Sequence, residues 1–166
     1  MGGRSGGGVS SRDIAELEEK VRQKLSASTG DGSPHVFISF AYEDVDEVNL
    51  LRGQAKNEKT DLQFDDYSVK EPYDSVNAEY IKRKIREKID RCSVTVVYLS
   101  EYTASSNWVN WEISDSIKRN KGVVGVYTGD KRPPLPRAMK DVPSAQVVRW
   151  EHEALVKAIG QAARNR

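Results

Sequence analysis

Ser93-Val94-Thr95-Val96-Val97-Tyr98-Leu99 is the most strand-like stretch of the chain, and the residues after it, Ser100-Glu101-Tyr102-Thr103-Ala104-Ser105-Ser106-Asn107-Trp108-Val109-Asn110-Trp111-Glu112-Ile113, pass into a helical period. A short run of β-branched and aromatic residues fits a strand buried on both faces, as in a parallel sheet. Parallel neighbours must be joined by a crossover, usually a helix. Val109, Ile113 and Ile117 form the core-facing stripe of such a helix, from about Asn107 to Lys118, and Ser106 or Asn107 can cap its start. Glu112 lies beside that stripe, one turn after Trp108 and on the same face.

The same alternation extends in both directions. Upstream, Val36-Phe37-Ile38-Ser39-Phe40 reads as a first buried strand, followed by Ala41-Tyr42-Glu43-Asp44 and a helix patterned on Val45, Val48 and Leu51. A second strand is expected from Leu62 to Tyr67, where Asp65 and Asp66 argue for a sheet edge. A polar segment, Ser68 to Ser75, then leads to a helix carrying Ile81, Ile85 and Ile89. Downstream come a strand from Val123 to Tyr127, a segment from Gly129 to Pro143 whose four prolines demand a loop, a strand from Ala145 to Trp150, and a helix from Glu151 to about Ala163. Five such alternations predict an α/β, flavodoxin-like doubly wound fold: a five-stranded, mostly parallel sheet with helices on both faces.

The N-terminal part is different. Met1 to Ser10 is Gly/Ser-rich and reads as a flexible tail. Ile14, Leu17, Val21 and Leu25 then form one narrow stripe of an N-terminal helix, with Ser10 and Asp13 as its capping pair. That stripe suits either packing against the domain or association with a partner. Ser26 to Pro34 is a linker, so residues 1–33 are expected as tail and helix, and 34–166 as the folded domain.

Composition removes several classes of function. The chain of 166 residues carries 26 basic and 25 acidic side chains, a formal charge of +1, with a pI near 7.8, which argues against a nucleic-acid binder. The basic run Lys82, Arg83, Lys84, Arg86, Lys88 and Arg91 interleaves with isoleucines and reads as the solvated face of a helix. Cys92 has no disulfide partner, and His35 and His152 build no metal cluster. No apolar run approaches the ~20 residues of a membrane span, and the N-terminus lacks a signal-peptide core. A cytoplasmic protein is expected. No Gly-rich phosphate loop follows the first strand, so a hydride-transferring dehydrogenase is not expected.

Topology locates the site before any motif does. In such sheets ligands bind beyond the carboxyl ends of the strands, where the winding reverses between the first and third strands. That selects the loops Ala41 to Asp44 and Ser100 to Trp111, flanked by the loop Asp66 to Ser75, a candidate lid. Each candidate also has a structural reading. Asp44 can contact a nucleotide or cap the next helix, Glu112 can be a working carboxylate or a helix-dipole charge, and Trp108 can wall a pocket or pack against the sheet.

Val36 to Phe40 resembles the first-strand box of TIR domains. Ser106-Asn107-Trp108-Val109-Asn110-Trp111-Glu112 resembles the segment that carries their catalytic glutamate, and the Gly122 to Val126 strand fits the same pattern. Over roughly residues 35–160 the chain is most similar to the TIR-like group that includes the bacterial Thoeris antiphage proteins. Tyr67-Ser68-Val69-Lys70-Glu71-Pro72 lacks the Arg-Asp and Pro-Gly pattern of adaptor-type TIR domains, which puts animal-style signalling contacts in doubt. The resemblance implies cleavage of NAD, as substrate rather than cofactor, at the nicotinamide–ribose bond. The product would be ADP-ribose or a cyclic isomer, read by a downstream effector in antiphage immunity, with self-assembly into homo-oligomers. It implies Glu112 as the catalytic residue. Phe40, Ala41, Tyr42, Asp44, Ser100, Tyr102 and Trp108 become the substrate-binding candidates. One carboxylate suffices chemically, because nicotinamide leaves a cationic linkage as a neutral base and needs no proton. The competing expectation is a non-enzymatic TIR-like assembly module.

Overall fold

The computed structural model of the chain describes residues 10–28, 34–57, 63–66 and 72–166. The chain divides into two units, Met1–Ser33 and Pro34–Arg166. In the first, helix α1 (Ser11–Ser28) starts with a reciprocal cap. The Ser10 N–H donates to Asp13 Oδ2, and the Asp13 N–H donates to Ser10 Oγ, both at 3.2 Å. Ile14 and Leu17 on its apolar stripe are exposed. The expected tail at residues 1–9 and linker residues 29–33 lie outside the described residues.

The second unit runs β1 (His35–Ser39), α2 (Val45–Asn57), β2 (Gln63–Asp66), α3 (Ala78–Arg91), β3 (Val94–Tyr98), α4 (Asn107–Lys118), β4 (Gly122–Tyr127), β5 (Gln146–Arg149) and α5 (His152–Arg164), with one-turn 3-10 helices at Tyr42–Asp44 and Arg137–Asp141. The sheet order is β2-β1-β3-β4-β5, and all four pairings are parallel. This is the flavodoxin-like order. β2 occupies the edge that its aspartates suggested, while the expected strand ends Leu62 and Tyr67 lie outside the described residues. Among those residues no helix is long and apolar enough to cross a membrane.

Strand alternation sorts the core into two layers. Val36, Ile38, Val94, Val96, Val124 and Val126 face α2 and α5, whose Val48, Leu51, Leu155 and Ile159 cover them. On the other face Phe37 meets Ile81, Ile85 and Ile89 of α3, and Val97 and Leu99 meet Val109 and Ile113 of α4. Gly122 permits the closest approach: a Cβ there would stand 2.6 Å from the Ala162 carbonyl oxygen of α5. The Pro-rich segment is not a plain loop. Ala138 and Met139 within its 3-10 turn are buried against α4 and β4, and the Ala138 N–H donates to Asn110 Oδ1 at 3.0 Å.

Candidate functional site

The order reverses between β1 and β3, and two loops meet there. Asp44, only 5% exposed, accepts a 2.5 Å hydrogen bond from the Ser100 hydroxyl across the crevice. The Ser100 oxygen in turn accepts the Tyr102 N–H at 3.1 Å. Thr103, fully buried, pins the loop from below: its hydroxyl donates to the Tyr98 carbonyl at 2.9 Å and accepts the Ser100 N–H at 2.8 Å. Burial pushes the Asp44 carboxyl above its ordinary value, Ser100 pulls it back, and Glu47, Glu43 and Glu101 push it up further. Besides the nucleotide contact and the helix cap open to it, the Asp44 carboxylate thus ties the two loops together at the switch point.

Glu112 is set by α4. Ser106 caps that helix, accepting the Val109 N–H at 3.2 Å, and Asn110 donates to the Ala104 and Ser106 carbonyls at 3.2 and 2.9 Å. Ser116 fixes the register against the sheet by donating to the Glu112 carbonyl at 2.7 Å and bonding the Thr95 hydroxyl at 2.7 Å. The Glu112 side chain thus points into the α4 layer. It is 3% exposed, beyond the first helical turn, so dipole stabilisation does not account for it. Burial drives its carboxyl from the usual 4.5 up to about 8, and the facing Ser39 hydroxyl alone counteracts this. At neutral pH burial therefore favours the protonated form of Glu112.

The remaining candidates separate. Trp108 packs with α3 and Phe37 in the second layer, edge-on to Tyr73 at 5.1 Å and to Trp111 at 6.2 Å. Lys82 lies 4.6 Å above Tyr73 and 5.7 Å from Trp111, and Arg86 is 5.3 Å from Trp111. This is the packing role for Trp108, one turn from Glu112. Tyr42 and Tyr102 are exposed, 53% and 44%, on the two loops that Asp44 and Ser100 join. The Phe40 ring is 8% exposed and belongs to the α2/α5 core layer. Ala41 is buried too, and its carbonyl accepts the Asp44 N–H at 2.9 Å. The candidate lid falls largely on residues 67–71, outside the described residues, as does most of the Tyr67 to Pro72 departure from the adaptor pattern. Sequence reading passed over Ser39 and Thr103. Among the described residues no group of three or more His, Cys, Asp or Glu side chains is placed to hold a metal.

A wholly parallel sheet in this order, with a buried carboxyl and two tethered loops at the switch point, defines a doubly wound α/β domain, a fold class that binds its ligands beyond the strand ends at that crevice. Residues 37–133 match the family model described as Thoeris protein ThsB, TIR-like domain, and the chain belongs to that family. Over 96 residues it is 30% identical to "Putative cyclic ADP-D-ribose synthase ThsB1" of Bacillus cereus (strain MSX-D12), a match covering 55% of this chain and 50% of that protein. The match thus spans about half the length of that curated relative. Among solved structures it is similar to the CMP N-glycosidase BcmB of Clostridium botulinum, at a TM-score of 0.45 and 8% identity over 76% of this chain and 98% of the other. It is also similar to the TIR domains of the activated Roq1 resistosome, at a TM-score of 0.42 and 18% identity over 80% and 85%.

Proposed function

We propose that this chain cleaves NAD at the bond between nicotinamide and ribose and releases the ADP-ribosyl part as a cyclic ADP-ribose-type product or as ADP-ribose. The observation that carries the reading is the buried Glu112 carboxyl, which faces Ser39 and on which no cation among the described residues acts; it lies in the segment whose resemblance implies the catalytic glutamate. In the proposed reaction the C1′–N bond breaks and its electron pair goes to the pyridinium nitrogen, so nicotinamide departs neutral. The positive charge passes to the ribose C1′ and O4′. Glu112, ionised and bonded to the ribose hydroxyls, stabilises that charge in a partly desolvated site, where electrostatic stabilisation is strongest. Water then attacks C1′ and loses a proton to give ADP-ribose, or a nucleophile within the same molecule closes the ring. A positively charged nicotinamide ring also supplies the counter-charge that lets a buried carboxylate ionise.

Tyr42 and Tyr102 are the exposed aromatic surfaces offered to the nucleotide, with Asp44 and Ser100 holding their loops together. Phe40, Ala41 and Trp108 support the site from within the core. The name of the Bacillus cereus relative favours a cyclic product, which would act as a nucleotide signal to a downstream effector in antiphage defence. Self-assembly belongs to the same proposal.

The test is nicotinamide release from NAD by the purified protein over a range of protein concentrations, beside Glu112→Gln, with products resolved by chromatography and mass spectrometry. Wild-type release falling at least ~100-fold in the variant is expected, as for loss of a transition-state electrostatic contact. No release by folded wild-type protein at any concentration, with or without an extract of infected cells, would instead mark an interaction module.

A further inference from the structure

Ser39 closes β1, paired in register with Val97 of β3. Alternation from Phe37 sends its side chain toward the α3/α4 layer, the side on which Glu112 is buried. It is fully buried, and its hydroxyl oxygen has no hydrogen-bond partner. Native proteins rarely leave such a group unanswered, because an orphaned buried hydroxyl costs free energy and an apolar side chain of similar size would avoid that cost. The polar group facing it is the Glu112 carboxyl.

We propose that Ser39 is a positioning residue for Glu112: when the carboxyl ionises, the Ser39 hydroxyl turns to donate to it and holds it in the orientation that meets the substrate. While the carboxyl is protonated both groups are neutral and the bond is not made. On ionisation the proton leaves to solvent and the hydroxyl gains a charged acceptor, the stronger kind of partner. The inference rests on reading Glu112 as the working carboxylate. Nearby charges do not duplicate the role. On α3, Lys82 lies over Tyr73 and Arg86 lies over Trp111. Asp115 of α4 faces Arg86 at 3.5 Å and Arg119 at 2.8 Å. Asp44 is held by Ser100, and neither these groups nor His35 of β1, nor Arg137, Lys140 and Asp141 of the packed 3-10 turn, contributes to the Glu112 shift.

The experiment compares wild type, Ser39→Ala and Ser39→Thr in two assays. In the first, kcat/KM for NAD is followed from about pH 6 to 9.5. Wild type should rise about tenfold per pH unit toward a plateau near the Glu112 pKa, as a single required ionisation dictates. Ser39→Ala should move that limb up by about one unit, losing about tenfold at neutral pH and recovering much of it in alkali, and Ser39→Thr should restore the wild-type limb. The second assay needs no turnover: the pH dependence of unfolding is measured for each Ser39 form with and without Glu112→Gln. The pH at which the Gln-for-Glu difference levels off reports the Glu112 pKa, and Ser39→Ala should shift it upward. An unmoved levelling-off, or an activity loss equal at every pH and not restored by Thr, overturns the proposal. If Ser39→Ala does not fold, Ser39→Cys, a weak donor of similar size, takes its place with the same expectations. Absence of NAD cleavage by wild type would remove the functional reading, while the unfolding assay still decides whether Ser39 holds the carboxylate.

Discussion

Replacing Glu112 by Gln should make the protein progressively more stable relative to wild type as the pH rises. The carboxyl titrates at about 8 in the folded chain against 4.5 when freely solvated, so between those values the unfolded chain has released a proton that the folded chain still binds. Stability therefore falls with pH across that window, is fully retained below about 4.5, and levels off above about 8. Gln cannot ionise, so the variant lacks this dependence. The linkage relation gives a difference of about 1 kcal/mol at pH 5.5, about 3 kcal/mol at pH 7 and close to 5 kcal/mol above pH 8. A fixed offset from burying the amide adds to each value without altering the slope. Urea unfolding of both proteins at five pH values between 5 and 9 measures it directly, since every other titrating group is common to the pair and cancels. At neutral pH the change corresponds to a melting temperature higher by roughly 10 °C for a domain of this size. A difference constant from pH 5 to 9 would refute the argument, because it would mean that Glu112 ionises in the fold as it does in water.

Ser100→Ala removes the donor to buried Asp44 and leaves the Tyr102 N–H without its acceptor. It should cost about 1.5–3 kcal/mol at neutral pH and less in acid, where more of the Asp44 carboxyl is neutral, as read by urea unfolding at pH 7 and pH 4. An equal cost at both values would show that the charge on Asp44 plays no part. Gly122→Ala drives a methyl against the Ala162 backbone carbonyl, which cannot swing aside as a side chain would. Thermal unfolding should show a loss of about 1–3 kcal/mol, and an unchanged melting temperature would place β4 and α5 farther apart.

The β3–α4 passage was legible because two strong signals coincide there, an uninterrupted apolar strand and a Ser-capped helix with its own stripe, and α4 takes the bounds its period implied. The edge position of β2 was legible from Asp65 and Asp66, which no central parallel strand accommodates without partners. That the loops Ala41 to Asp44 and Ser100 to Trp111 meet followed from topology alone, while the bond between Asp44 and Ser100 did not. Phe40 stands one residue past β1 and keeps the parity of that strand. Val36, Ile38 and Phe40 share one side of an alternating strand, so the ring follows its neighbours into the α2/α5 core. The opposite parity, Phe37 and Ser39, was the readable clue to the polar residue on the Glu112 side. The Pro-rich segment hid Ala138 and Met139, because its prolines exclude regular helix without excluding a single 3-10 turn, and the apolar pair between them was the signal for burial.

Burial of Glu112 has two consequences that pull in opposite directions, and under the proposed reaction they are the same fact. Desolvation keeps the Glu112 carboxyl uncharged, at a cost to stability that grows with pH, and it also makes the carboxyl responsive to whatever charge comes near. An anionic group arriving beside Glu112 would hold the carboxyl protonated still more firmly. A cationic ring would lower its pKa and convert the desolvation into attraction between opposite charges in a low dielectric, where attraction is strongest. The charge then moves from the leaving nitrogen to the ribose during bond cleavage. A carboxylate fixed beside the sugar, as the proposed Ser39 contact would hold it, gains attraction along the reaction coordinate, which is the condition for accelerating a reaction rather than merely binding its substrate.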